Sequence, residues 1–388
     1  MERIFTKDRM SKLERVEATL NNLPVDRAAL HEQLSFNPGV ISRYTGRKVT
    51  GFDYTYDDIC SVIRQTVDAC FPPVAPLGTG QLTDRDGFII KQDNWHSMIV
   101  RRPFHDVAGA REFLLRKTDV LHKYGQRGDY GYPPGIIPSR QDNLTAFDPE
   151  KERESYRRYM QGLQNRIGET VIIDFSIQTG FNECWAQKLG LDIFSYLYFD
   201  DAQVITDYLN TYMEAELKRI EAIADRSLSP VVLIAEDFAY KGGTIFSPDL
   251  LRKELFPRIR QLTKAWHRHG LKVLFHSDGD WKDVIPDLVE CGVDGFYCLE
   301  PSLGMDIVVL RNKWPEHVWA GGLDGVDLME LGNPDQVRLH VQRIIEETDL
   351  LHRGGVFIDT SSEINPMIKP ENFVAMVQTV GEIWNQEL

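Results

Sequence analysis

"VLFHSDGDW", residues 273–281, joins a short apolar run, Val273–Phe275, to a tail of His276, Ser277, Asp278 and Gly279. The run reads as a buried strand, yet polar residues crowd its end where a buried strand only has to turn. Side chains alternate along a strand, so His276 and Asp278 share one face while Phe275 and Ser277 share the other. The preceding stretch, "SPDLLRKELFPRIRQLTKAWHRHG" (247–270), is amphipathic, opens on Ser247-Pro248 and closes on Gly270, as a capped helix does.

The same unit recurs beyond residue 170. Apolar runs in "TVIIDFS", "PVVLIAED", "VDGFYCLEP", "HVWAGGLD" and "GGVFIDTS" alternate with amphipathic stretches such as "NPDQVRLHVQRIIEETDLLHRGG". Strands buried on both faces and each followed by a helix require a parallel sheet with right-handed crossovers. Nearly every run ends in acidic or polar residues, which is the pattern of a (β/α)8 TIM barrel, whose active site is assembled from the C-terminal ends of several strands. A doubly wound sheet would gather such residues at one switch point, and no GxGxxG or Walker loop follows these strands.

The first part lacks this rhythm. Helical patterns lie around 8–22 and 56–70, alternation with a D-G turn signal predicts a β-hairpin within 84–104, and the Gly, Pro and Tyr content of 125–145 (with Tyr130 and Tyr132) predicts an ordered loop or lid. The expected α/β organisation is a single domain over 1–388, with an N-terminal helical extension (1–80), a hairpin insertion (81–105) and the loop at 125–145.

Composition narrows the function classes. With 42% hydrophobic and 26% charged residues the chain can bury a large core. The net charge of -14 argues against nucleic acid and anionic membranes as general partners. Cys60, Cys70, Cys184, Cys291 and Cys298 are scattered without CxxC spacing and read as reduced, buried small hydrophobes. No apolar stretch reaches the roughly 20 residues that span a bilayer, and "MERIFTKDRMSKLERVEATL" has no signal-peptide core, so a cytoplasmic protein is expected.

Glu236 and Asp237 end one strand, His276 and Asp278 follow the next, and Thr360, Ser362 and Glu363 follow the last; in a barrel all converge on one mouth. A mixed set of nitrogen and oxygen ligands (Glu236, His276, Asp278, Glu363) suits a divalent metal such as zinc. The alternative is a His276 hydrogen-bonded to Asp278 or to a carbonyl without metal. Phe175, Trp185, Phe238 and Tyr240 could wall a pocket for a flat ligand.

The run 246–301, "FSPDLLRKELFPRIRQLTKAWHRHGLKVLFHSDGDWKDVIPDLVECGVDGFYCLEP", with "WAGGLD" (319–324) and "INPMIKPENFVAMV" (364–377), resembles the uroporphyrinogen decarboxylase superfamily, in its branch of corrinoid (cobalamin)-dependent methyltransferases. "RVEATLNNLPVDR" and "DRDGFIIK" extend the likeness loosely. No counterpart of the decarboxylases' arginine-rich substrate signature is found; "PVDRAALHEQLSFN" departs from it. Thiol-activating members hold zinc with a His-Xaa-Cys pair and a later Cys before a Pro-Glu-Asn motif. Here the pair is His276-Ser277-Asp278, and the later position falls at or near Ser362, with Glu363 beside it. The resemblance therefore implies zinc among oxygen ligands, acting as a Lewis acid.

The expected function is transfer of a methyl group from a small methylated aromatic donor, an aryl methyl ether, to Co(I) of a separate corrinoid protein, an O-demethylase reaction. His276, Asp278 and Asp237 would be catalytic, and Tyr240, Phe238, Phe175 and Trp185 would bind the donor. A homodimer is compatible with this architecture. The competing readings are a cofactor-independent decarboxylase of an aromatic or tetrapyrrole acid, anchored by Arg101, Arg102, Arg127 or Arg140, and a non-catalytic module that binds corrinoid proteins.

Overall fold

A computed structural model describes residues 5–34, 37–125 and 146–387. Eight parallel strands line the core: β1 (Ala29–Glu32), β2 (Ala69–Cys70), β3 (Val171–Ile172), β4 (Val231–Ala235), β5 (Lys272–His276), β6 (Gly295–Tyr297), β7 (Val318–Leu323) and β8 (Val356–Thr360). Their order is β3-β2-β1-β8-β7-β6-β5-β4. The two ends of that order meet where the chain just past β3 bridges Asp174 to Val232 of β4, so the sheet curls into a nearly closed barrel. The first hundred residues thus supply β1 and β2 as well as helices. The predicted hairpin is a three-stranded antiparallel sheet over Gly80–Thr83, Ile89–Gln92 and Ser97–Arg101. Apart from Gly125, the predicted loop at 125–145 lies outside the described residues.

Alternation along each strand decides what points where. Ala29, Val171, Val231, Leu233, Leu274, Val318, Ala320 and Phe357 fill the barrel interior. Their neighbours Val232, Ile234, Phe275, Phe296 and Ile358 pack outward against the helices. Helix starts follow the expected caps: Ser247 accepts from Leu250 N (3.3 Å) and Asn333 forms a capping box with Gln336. The long pattern at 247–270 is two helices, Pro248–Glu254 and Phe256–Arg268, divided where Pro257 interrupts the backbone ladder. Among the described residues no helix is long and apolar enough to cross a membrane.

Candidate functional site

The tail of β5 is fixed from below. Trp281 is fully buried and its indole N–H donates to Ser277 O (2.8 Å), holding the chain in a tight return. Gly279 has φ +85, and a Cβ there would lie 2.6 Å from Tyr240 N. Only glycine allows this approach. Gly279 N donates to Glu300 Oε1 (2.8 Å) and Asp280 N to Tyr240 O (3.0 Å), so the loops after β4, β5 and β6 are tied together.

His276 ends β5 in register with Ala235 of β4 and Tyr297 of β6. Its Nε2 lies 3.3 Å from Asp237 Oδ1 and 3.8 Å from Asp278 Oδ1. The three predicted catalytic side chains therefore meet. Burial alone would lower the imidazole pKa, but the Asp237 hydrogen bond and the charges of Asp278 and Asp237 outweigh it and raise the value.

One residue of the cluster was not anticipated from the sequence. All five cysteines are buried free thiols, but Cys298 is more than a small hydrophobe. Its Sγ lies 3.0 Å from Asp278 Oδ1 and 2.9 Å from Ser361 O, two acceptors for one S–H. Ligand atoms of His276, Asp278 and Cys298 lie within 4.8 Å of one another. The sequence reading expected a set without sulfur; Cys298 sets a thiol beside it. Cys298 has φ +68, a conformation rare for a residue with a Cβ and often kept for function. Burial, then the Asp278 carboxylate, pushes its thiol well above the ordinary range, so the proton stays unless a cation replaces it.

A histidine nitrogen, a carboxylate oxygen and a thiol sulfur are a donor set that zinc accepts, and three protein ligands are the number that leaves a position open for substrate. His276 Nδ1 is also buried without a partner. The residues present fit a zinc ion.

Glu236 and Glu363 stand outside this cluster. Glu236 is fully buried and its oxygens accept from Thr179 N (2.8 Å), Thr179 Oγ1 (2.5 Å) and Asn182 N (2.7 Å). Alternation explains this: Ala235 faces inward with His276, so Glu236 faces away and Asp237 returns. Burial lifts the Glu236 carboxyl to about 7 against those hydrogen bonds. Glu363 is raised by burial and by the charge of Asp278, and His276 opposes the shift, so it feels the cluster electrostatically.

The aromatic residues divide. Phe175 and Tyr240 are 40% and 57% exposed, whereas Phe238 is enclosed between Phe256 and Phe275, and Trp185 packs on Phe246. Rings that sequence reasoning missed, Phe71 and Tyr297, line the interior: Phe71 lies 5.4 Å from Phe175 and 5.2 Å from Tyr297, and Tyr297 lies 5.3 Å from His276. Of the arginines proposed as carboxylate anchors, Arg102 is held by Lys188 O (2.9 Å) and Ala186 O (3.3 Å), Arg101 ends a strand of the antiparallel sheet, and Arg127 and Arg140 lie outside the described residues.

Residues 194–383 match the sequence model of the family described as Uroporphyrinogen decarboxylase (URO-D). No curated protein matches the chain. Among solved structures, a methyltransferase from Methanosarcina mazei superposes with a TM-score of 0.63 at 14% identity, covering 96% of this chain and 99% of that one. A probable 3-DHS dehydratase from Bacillus anthracis gives 0.31 at 12% identity, covering 59% and 82%; xylanase B from Clostridium stercorarium gives 0.33 at 14%, covering 63% and 86%. At such identities the likeness concerns the fold.

Proposed function

We propose, on the match of residues 194–383 to the uroporphyrinogen decarboxylase family, that the chain is a methyltransferase that takes a methyl group from an aryl methyl ether and passes it to a corrinoid protein. The observation that carries this reading is the meeting of His276, Asp278 and Cys298 at the C-terminal ends of β5 and β6, the end of a barrel where catalysis is built. The Methanosarcina structure of the same fold is itself described as a methyltransferase.

His276, Asp278 and Cys298 would hold zinc, and Asp237 would orient the imidazole through its 3.3 Å contact. A zinc ion held there would supply Lewis acidity to the oxygen that the methyl group leaves, which matters because an unassisted phenoxide has the basicity of a tyrosinate, pKa about 10. The carboxylate of Asp278 takes a place that a second thiolate fills in thiol-activating relatives, and a carboxylate donates less electron density than a thiolate. Phe71, Phe175 and Tyr297 offer faces for the aryl ring, with Tyr240 at the rim. Glu236 fixes the loop at 179–182 through its three hydrogen bonds and so acts on the site by positioning.

The test is direct. Protein mixed with reduced cobalamin and a methoxyarene should produce methylcobalamin, read by its absorbance, and His276→Ala should abolish it. Unchanged spectra with every methylated donor would defeat the proposal. The decarboxylase reading gains no support from Arg102, whose guanidinium is already engaged.

A further inference from the structure

A second polar group sits at the same mouth and has no part in the cluster above. His31, near the end of β1, and Asp359, near the end of β8, are in contact through Nδ1 and Oδ2, and both are buried. Glu32 joins them: its carboxylate accepts from Thr360 N (3.0 Å) and Thr360 Oγ1 (2.9 Å). His31 faces the barrel interior, edge-on to Phe71 (4.5 Å) and Tyr297 (5.3 Å). Its Nε2 is buried with no hydrogen-bond partner. A buried nitrogen left unpaired costs about 1–3 kcal/mol unless something binds it.

Tyr297 stands between two imidazoles, with ring centroids 5.3 Å from His31 and 5.3 Å from His276. The interior thus presents a polar group, an aromatic wall and a second polar group in sequence.

We propose that His31 determines specificity by hydrogen-bonding, through Nε2, a second and uncharged oxygen of the methyl donor, so that the donor is a methoxyarene that also bears a hydroxyl group. The inference rests on the methyl-transfer reading for the word donor; the recognition itself stands on the geometry. Charge selects the class of group. Burial raises both Glu32 and Asp359 well above the ordinary range, Glu32 also through the charge of Asp359, and burial lowers His31 to about 3, so the imidazole is neutral. A substrate carboxylate would add a further anion beside two acids that already resist ionising together. A hydroxyl adds none, and it both gives and accepts a hydrogen bond, so it pairs with Nε2 in either imidazole tautomer.

Calorimetric titration of the full chain with methoxybenzene and with 2-, 3- and 4-methoxyphenol tests this without any methyl transfer. At least one methoxyphenol should bind about 10-fold or more tighter than methoxybenzene, as one neutral hydrogen bond in a buried site allows. His31→Ala should remove that preference while leaving methoxybenzene affinity within about twofold, and His31→Gln, which keeps a donor and an acceptor, should restore part of it. Equal binding of all four compounds, or equal weakening of all four in His31→Ala, would overturn the inference. A hydroxyl preference that vanishes in His31→Ala, in protein that forms no methylcobalamin, would uphold the recognition and overturn the reaction. Methyl transfer without that preference would do the reverse.

Discussion

The barrel buries charged groups at both of its ends, and it treats them in opposite ways. At the N-terminal face, Asp68 just ahead of β2 accepts from Arg15 Nη1 (2.7 Å), Arg27 Nη1 (2.7 Å) and Leu30 N (2.9 Å), while Asp26 accepts from Arg15 Nε (2.7 Å). Each acid has a cation, and despite burial the arginines hold Asp68 and Asp26 below the ordinary carboxylate range. At the C-terminal mouth, His31 Nε2, His276 Nδ1 and Asp359 Oδ1 lack partners, and Glu32, Asp359, Glu236 and Glu300 are all raised, each chiefly by burial. The acids at the foot are answered by arginines, whereas those at the mouth are left raised by burial.

The contrast can be broken most sharply at the foot. Asp68→Ala leaves two buried guanidiniums without their shared partner and should cost about 3–5 kcal/mol in urea unfolding, with methyl transfer per folded molecule unchanged. At the mouth the signs invert. Cys298→Ala should reduce methyl transfer at least about 100-fold, near 2.7 kcal/mol of barrier, yet change unfolding stability by only about 1 kcal/mol. A large stability loss with activity kept would make Cys298 structural.

Gly279→Ala probes the scaffold between these extremes. The added Cβ meets the Tyr240 backbone and the positive φ is disfavoured, so about 1–3 kcal/mol of stability should be lost, together with the placing of Asp278. Activity and stability should fall in parallel.

The smallest effect is in the pH profile. Asp68 and Asp26 are held low, so their contribution is complete above about pH 4, the unfolded value, and is lost as pH falls further. The mouth acids are raised, so the folded state holds protons that the unfolded state releases, and stability declines as pH rises from about 4 towards the folded value, about 7 for Glu236. Urea midpoints of Asp68→Ala against pH should flatten the acidic limb, and those of Glu236→Gln the limb between 4 and 7.

How far the sequence reached follows the same geometry. Strands β3 to β8 were legible because each apolar run ends in a polar cluster and a capped helix follows. β1 and β2 are four and two residues long and sit between helical patterns, too short for any periodicity to show. The convergence of His276, Asp278 and Asp237 could be read from alternation and barrel topology. Cys298 could not: alternation places Tyr297 inward and Cys298 outward, and its left-handed backbone breaks that rule, so both line the interior. His31 and Asp359 meet across 328 residues of chain, which only the β1–β8 register reveals.

The central claim is that the mouth cluster binds metal through a sulfur as well as a nitrogen and an oxygen. Elemental analysis of the full chain, purified without added metal, tests it most directly. About one zinc per wild-type chain is expected, with little or none in His276→Ala, Asp278→Ala and Cys298→Ala, and full occupancy in Cys184→Ala, whose thiol is buried elsewhere. Equal metal in all five proteins, or none in the wild type, would contradict it.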